Sequence, residues 1–309
     1  GTHTFTSTTA TAQLTLNGDI TNSATNLTIT GSGNTLITGT IGSNAGGITK
    51  SGTGTLTLTN ANTYTGNTTI SAGTLRATDT NALGTTGTIS IATSSILSLN
   101  LGGAALANAN TITMTGSASI VNNVATGLTD ILNNPITLTA AGTQVITSTI
   151  AGALLQLNGN ITNNTAALTI NGAGNTTLVG VLGAGSGSLT KAGAGTLSLD
   201  AANTYTGATT ISAGSVKLNI NNAIGNSAVN LSVSGANLNL NGFNDTIGSL
   251  TGVAGTTVTL GAGTLTAGGN NTSTTYSGVI SGSGNIVKAG TGTMTLAGAN
   301  TFLGTTEIN

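Results

Sequence analysis

Residues 16–84 align with residues 157–225 at a constant offset of 141 without a gap, and 38 of those 69 positions are identical. A match that long leaves little freedom: the local structure of the first segment must return in the second. The matching blocks include LNGDITN with LNGNITN, GITKSGTGTL with SLTKAGAGTL, and NTYTGNTTISAG with NTYTGATTISAG. A third copy spans 286–309 and contains GTMTLAGANTFLGTTEIN. The lysines that anchor the copies, Lys50, Lys191 and Lys288, lie 141 and 97 residues apart. Equal phrases at unequal spacing mean that the true unit is smaller and that units can be added or lost.

The smaller unit shows in apolar positions that recur about every twenty residues: Leu36 to Leu56 is 20, Ile70 to Ile91 is 21, and Ile91 to Ile112 is 21. The runs LTL (14–16), LTI (27–29), LTL (56–58), ISI (89–91), LSL (197–199) and LNL (238–240) place apolar residues two apart. That is the period of a strand with one buried face. Thr, Val and Ile suit a pleated surface, and Gly and Asn supply the positive φ of tight corners. One such unit cannot bury its own apolar face, whereas stacked units share a continuous core.

The expectation is therefore an all-β chain, a parallel β-helix (solenoid) of roughly 15 coils with about three strands per coil. Each strand would bond to its counterpart in the next coil ~4.8 Å away, for an axial length of ~70 Å. Leu56, Leu58, Leu197 and Leu199 would face inward, and Thr57 and Ser198 outward. Asparagines stacked at corners would form amide ladders.

Composition agrees with a narrow interior: 48 Gly, one Pro, no Trp, 2% aromatic and 4% charged residues. A mean hydropathy of +0.28 and a formal charge of −1 exclude a disordered chain. Residues 1–309 read as a single β-helical segment. The basic residues Lys50, Arg76, Lys191, Lys217 and Lys288 are scattered, which leaves no phosphate-neutralising patch and argues against a nucleic-acid partner. No apolar run approaches the ~18 residues of a membrane helix. Three Tyr and three Phe are too few for the aromatic girdles of a membrane barrel. The absence of Cys fits a chain that stays unlinked during export. No signal-peptide pattern follows Gly1, and the third copy stops where the others continue with SAG, so the sequence reads as an excerpt of a longer chain.

The phrase IVKAGTGTMTLAGANTF, preceded by TTYSGVISGSGN at 274–285, resembles the passenger-associated transport repeat of bacterial autotransporters. The pattern of that repeat runs roughly K-x-G-x-G-T-L-x-L-x-x-x-N-T-Y-x-G-x-T-x-I. All three copies match it, with Phe302-Leu303 in place of Tyr-Thr in the third. The resemblance extends to NDTIGSLTG at 244–252 and is expected to cover well over half of the chain. It implies a right-handed β-helix carried outside a Gram-negative cell by a C-terminal outer-membrane barrel not contained in this sequence. It further implies a non-enzymatic scaffold or adhesin whose partner is a host-cell or glycan surface. A self-associating filament or layer subunit is the alternative, and a carbohydrate-active β-helix enzyme stands behind it.

Reactive groups are few. His3 has no orienting partner nearby in sequence and reads as a surface imidazole. Asp19, Asp79, Asp130, Asp200, Asp245 and Glu307 read as solvated turn residues. Glycoside hydrolysis needs two carboxyl groups ~5–9.5 Å apart, whereas Asp19 and Asp79 are 60 residues apart, about three coils or ~14 Å. GGN at 268–270 and GSGN at 282–285 lack the Asp of calcium-binding solenoid repeats. GAGSGS at 183–188 and GVAG at 252–255 lack the helix and Lys-Ser/Thr of a phosphate cradle.

Lys50, Lys191 and Lys288 read as solvated guards against lateral strand pairing. Tyr64, Tyr205 and Phe302 read as packing residues. Thr55, Thr57 and Thr59 raise the question of a threonine array of the ice-binding type. GTISIATSSILSLN at 87–100 argues that the motif wanders off any one face. No catalytic, cofactor-binding or metal-ligating residue is assigned, and no cofactor is expected.

Overall fold

The computed structural model describes residues 3–42, 45–107, 110–139, 142–183 and 185–309, and every regular element among them is a strand. Neighbouring strands pair in parallel. They stack as a β-solenoid of about 14 turns, in two compact units, Gly1–Asn160 and Ile161–Asn309.

In the first unit, two sheets carry most of the coil. The first is built from His3–Thr6, Leu27–Thr30, Ile48–Lys50, Thr68–Ile70, Ile89–Ile91, Ile112–Met114 and Ile136–Leu138. The second is built from Gln13–Leu16, Asn34–Ile37, Thr55–Leu58, Thr74–Ala77, Ile96–Leu99, Ser119–Asn122 and Thr143–Ser148. Among the described residues of this unit a paired third side forms at Thr129–Leu132 with Leu154–Leu157. Earlier coils cross that side in irregular chain, with isolated bridges between Ile20 and Ile41 and between Ala105 and Ile131. The expected three strands per coil thus drop to two there. Asparagine side chains bond the irregular segments to their neighbours in place of a ladder.

In the second unit, one sheet runs from Ala167–Asn171 through Leu189–Lys191, Thr209–Ile211, Ala228–Leu231, Ser249–Gly252 and Thr274–Tyr276 to Met294–Leu296. A second runs from Asn175–Leu178 through Thr196–Leu199, Ser215–Leu218, Asn237–Asn239 and Thr257–Thr259 to Val279–Ser281. A 4-stranded sheet of Asp245–Ile247, Thr264–Ala267, Asn285–Lys288 and Thr306–Ile308 closes the third side.

Alternation sorts side chains as expected. Leu56, Leu58, Leu197 and Leu199 are buried, and Thr57 and Ser198 lie on the outer face. Each buried Leu contributes about 1.5–3 kcal/mol through removal from water. Residues 54–73 and 195–214 have the same secondary structure residue for residue.

The register departs from simple spacing at two places. Ile70 pairs with Ile91, but Leu36 pairs with Thr57 and Ile112 with Ile89. In Asn34–Ile37 two apolar residues are adjacent, so one must point out; Thr35 and Ile37 go in and Leu36 stays outside. Coil length also varies, from 19 residues between Thr55 and Thr74 to 26 between Ser119 and Val145. The corners absorb the difference, which is why counting by a fixed period misassigns partners.

Candidate functional site

The repeated phrase builds a corner. In Ile48–Lys50 and Leu189–Lys191 the alternation turns the first residue in, the Thr out and the lysine in. Lys50 and Lys191 are each 2% exposed, which corrects their reading as solvated guards. Their stems lie along the core, and their ammonium groups cap carbonyls. Lys50 Nζ donates to Ser51 O (3.1 Å), Gly52 O (2.7 Å) and, one coil on, Ala72 O (3.2 Å). Lys191 Nζ repeats this with Ala192 O (2.6 Å), Gly193 O (2.7 Å) and Ala213 O (3.4 Å).

Burial pushes both ammonium groups down to about 8. The G-x-G that follows is a steric requirement. Gly52 has φ +80°, and a Cβ there would sit 2.5 Å from the backbone N and O of Gly31 in the coil below. The period-2 pattern Ile-Thr-Lys already carried the signal that the lysine turns inward; assigning charge to the surface by default overrode it.

On the irregular side the NTY asparagines act as clamps. Asn62 Oδ1 accepts Ile41 N–H (2.7 Å) from the preceding coil, and its Nδ2 donates to Ala82 O (2.7 Å) in the following one. Asn203 does the same between Leu182 N–H (2.7 Å) and Ala223 O (2.6 Å). Tyr64 and Tyr205 are buried packing residues, as expected. Each hydroxyl lies 2.7 Å from a threonine Oγ1, that of Thr68 or Thr209, and burial pushes each phenol up. Amide ladders occur at Asn158–Asn133 (2.7 Å) and Asn241–Asn219 (3.3 Å). Elsewhere corner asparagines instead accept a backbone N–H of the next coil, as Asn34 does from Thr55 (3.0 Å) and Asn175 from Thr196 (2.9 Å).

Two carboxylates also correct the sequence reading. Asp130 and Asp245 are buried rather than solvated. Asp130 accepts Leu101 N–H and Gly103 N–H, both at 2.9 Å, and so anchors an irregular segment. Asp245 accepts Ile224 N–H (3.1 Å), and burial pushes its carboxyl up to about 6 against the pull of nearby backbone N–H donors. The other acids are local or exposed: Asp79 accepts Asn81 N–H (2.7 Å), Asp200 accepts Asn219 Nδ2–H (2.7 Å), and Glu307 is exposed.

His3 and Asp19 line one hollow of about 290 Å³ with Phe5, Ile20, Thr21, Asn22 and Leu27. No hydrogen bond or ion pair joins them, and Asp19 Oδ1 instead accepts Thr40 N–H (2.8 Å). Among the described residues no group of three or more His, Cys, Asp or Glu is arranged to hold a metal. Residue 184 of the GAGSGS stretch lies outside the described residues.

The outer faces differ in chemistry. On the first sheet of the first unit, the outward position of successive strands is Thr28, Thr49, Thr69, Ser90, Thr113 and Thr137. Two residues further along each strand path come Thr30, Ser51, Ser71, Ala92, Thr115 and Thr139, held in the ladder by their backbone N–H groups. Ser90 keeps its place in this first column, while Ala92 breaks the Thr-x-Thr motif in the rank beside it, and the array raised by Thr57 wanders as expected on the second sheet. The second sheet of the same unit shows Leu36, Thr57, Arg76, Ser98, Val121 and Thr147 at its outward positions.

Comparison with known proteins assigns the repeated corner. The passenger-associated-transport-repeat family matches residues 48–77, 189–218 and 286–309. Each match contains a lysine, the G-x-G that follows it and an NTY or NTF phrase, the first two with the corner and clamp just described. The chain is a β-solenoid that carries three passenger-associated transport repeats. It is also 34% identical over 129 residues to a protein named Adhesin BmaC autotransporter from Brucella suis biovar 1 (strain 1330). That similarity covers 40% of this chain and 4% of the relative's length. No solved structure matches. The family matches lie on the three copies alone and together span well under half of the chain, less than the resemblance in sequence implied.

Proposed function

We propose that the chain is a non-enzymatic, extracellular β-helical stalk of a Gram-negative surface protein, acting as a scaffold or adhesin toward a host-cell or glycan surface. The observation that carries this reading is where the polar groups of the repeats are spent. The lysines cap carbonyls, the asparagines clamp coils and the tyrosines bond threonines inside the stack. These groups hold coils together and leave little for acid–base chemistry. The name of the Brucella relative supports the adhesin half of the reading. Export would run through a barrel carried by the parent chain, and folding would propagate coil by coil outside the cell.

The test combines two assays on the purified chain: release of reducing ends from a panel of polysaccharides, and binding to cells and immobilised glycans. The expected outcome is binding without turnover. Cleavage of any polysaccharide would overturn the reading, and binding to neither cells nor glycans would remove its adhesin half and leave the passive stalk. Sedimentation of the same sample into large oligomers would favour the filament alternative.

A further inference from the structure

We propose that the first sheet of the first unit is an ice-binding face, formed by the column Thr28, Thr49, Thr69, Ser90, Thr113 and Thr137 and the rank beside it. The observation is the register. Parallel pairing without a slip sets one hydroxyl residue above the next on successive coils. The spacing along the column is that between strands, ~4.8 Å, and the neighbouring rank, two residues along each strand, lies ~6.6 Å away. Water in a tetrahedral network with O···O of ~2.75 Å has second neighbours ~4.5 Å apart and an axial repeat of ~7.3 Å. The face thus offers a two-dimensional grid of hydroxyls near the spacings of crystalline water in both directions.

Three further features of the face select that occupant. Among the described residues none of the six column hydroxyls bonds to the protein, so each is free to donate one hydrogen bond and accept two. The grid holds no charge and no aromatic ring. It therefore complements an uncharged hydrogen-bonding lattice, and it lacks the ionic contacts for a polyanion and the stacking platforms for sugar rings. Finally, Thr69, Ser71, Ser90, Ile91, Ala92, Thr93 and Thr115 line an open hollow of about 320 Å³ where the small Ala92 interrupts the second rank, which leaves room for water beside the hydroxyls. Backbone ladders fix the grid beforehand, so ordering it on contact costs little further entropy.

The second unit provides an internal control. Its outward column runs Thr169, Thr190, Thr210, Asn230 and Thr251. In the adjoining rank Val253 is 45% exposed, and Ser212 Oγ and Ser232 Oγ donate back to Lys191 O (3.1 Å) and Ile211 O (3.4 Å). The adjoining rank of the first unit is also partly satisfied, since Thr115 and Thr139 Oγ1 lie 2.9 Å apart and Thr139 Oγ1 donates to Met114 O (3.3 Å). The two units differ in the column itself, where Asn230 breaks the run of hydroxyls and Thr251 Oγ1 donates to Val229 O (3.3 Å) and Asn230 Oδ1 (3.1 Å).

The full 309-residue chain is tested by slow growth of an ice hemisphere from dilute solution, with protein measured in ice and liquid. The expected result is enrichment in the ice and faceting of growing crystals. Thr69→Tyr and, separately, Ser90→Tyr should abolish both while circular dichroism stays unchanged, because a ring standing above the grid blocks contact. Thr210→Tyr should leave both intact. Exclusion of the wild-type chain from ice, or undiminished enrichment of folded Thr69→Tyr and Ser90→Tyr, overturns the proposal. Binding to crystalline cellulose or chitin that Thr69→Tyr removes, with no enrichment in ice, overturns it too and assigns the face to a polysaccharide.

Discussion

The second and third copies of the repeat spell nearly the same phrase and end in different surroundings. Lys191 is buried and reaches three carbonyls, whereas Lys288 is partly exposed and reaches two, Ala289 O (2.6 Å) and Gly290 O (2.7 Å). Leu197 and Leu199 are buried, whereas Met294 and Leu296 are partly exposed. Tyr205 is buried, and Phe302 is partly exposed. Asn203 clamps the coils on both sides. Asn300 accepts Ile280 N–H (2.9 Å) from the preceding coil and turns its Nδ2 back to Gly298 O (3.0 Å).

The cause lies in the neighbours. Thr196–Leu199 pairs with strands on both sides, and Met294–Leu296 pairs with Thr274–Tyr276 alone. A coil of this protein becomes core when a coil lies on each side of it, which is the nearest-neighbour energetics of a solenoid.

The largest test of this contrast is a charge placed at the matched inward position. Leu197→Asp should cost about 4–5 kcal/mol, through a lost apolar side chain and a buried unpaired carboxylate. Met294→Asp, whose new carboxylate reaches water, should cost about 1 kcal/mol. Urea unfolding of the two variants checks this, and equal losses would break the comparison.

A smaller effect comes from a carboxylate already inside the covered stack. Asp245 has its carboxyl raised from 3.8 to about 6, so the fold binds a proton more tightly than the unfolded chain does. Its contribution is then complete below about pH 4 and is lost as pH rises through about 6, a change of about 3 kcal/mol. Urea midpoints measured across that range should fall with rising pH, and Asp245→Asn should remove this part of the slope. A rise in midpoint attributable to Asp245 would contradict its burial.

The smallest effect separates the lysines. Lys191→Met keeps the stem and strands three carbonyls, for about 2 kcal/mol, whereas Lys288→Met should cost about 0.5–1 kcal/mol. Thermal melts of the pair would sharpen the contrast, and a larger loss at Lys288 would reverse it.

Much of this was legible from residues. The gapless repeat required equal local structure at 54–73 and 195–214, and period-2 alternation placed Leu56 and Leu197 inside and Thr57 and Ser198 outside. Both follow from local geometry, since side chains on a strand alternate between faces wherever that strand is placed. The same alternation, applied without exempting charged residues, also puts Lys50 and Lys191 inward.

What local geometry could not supply is which residues stack. Coils of unequal length shift partners by one or two residues, so Ile112 meets Ile89 and Leu36 meets Thr57. The burial of Asp130 and Asp245, the clamps at Asn62 and Asn203, and the alignment of Thr69 with Ser90 all depend on that register. Register is settled by the corners, where each added residue is absorbed against the coil below, and only the stacked structure contains that contact.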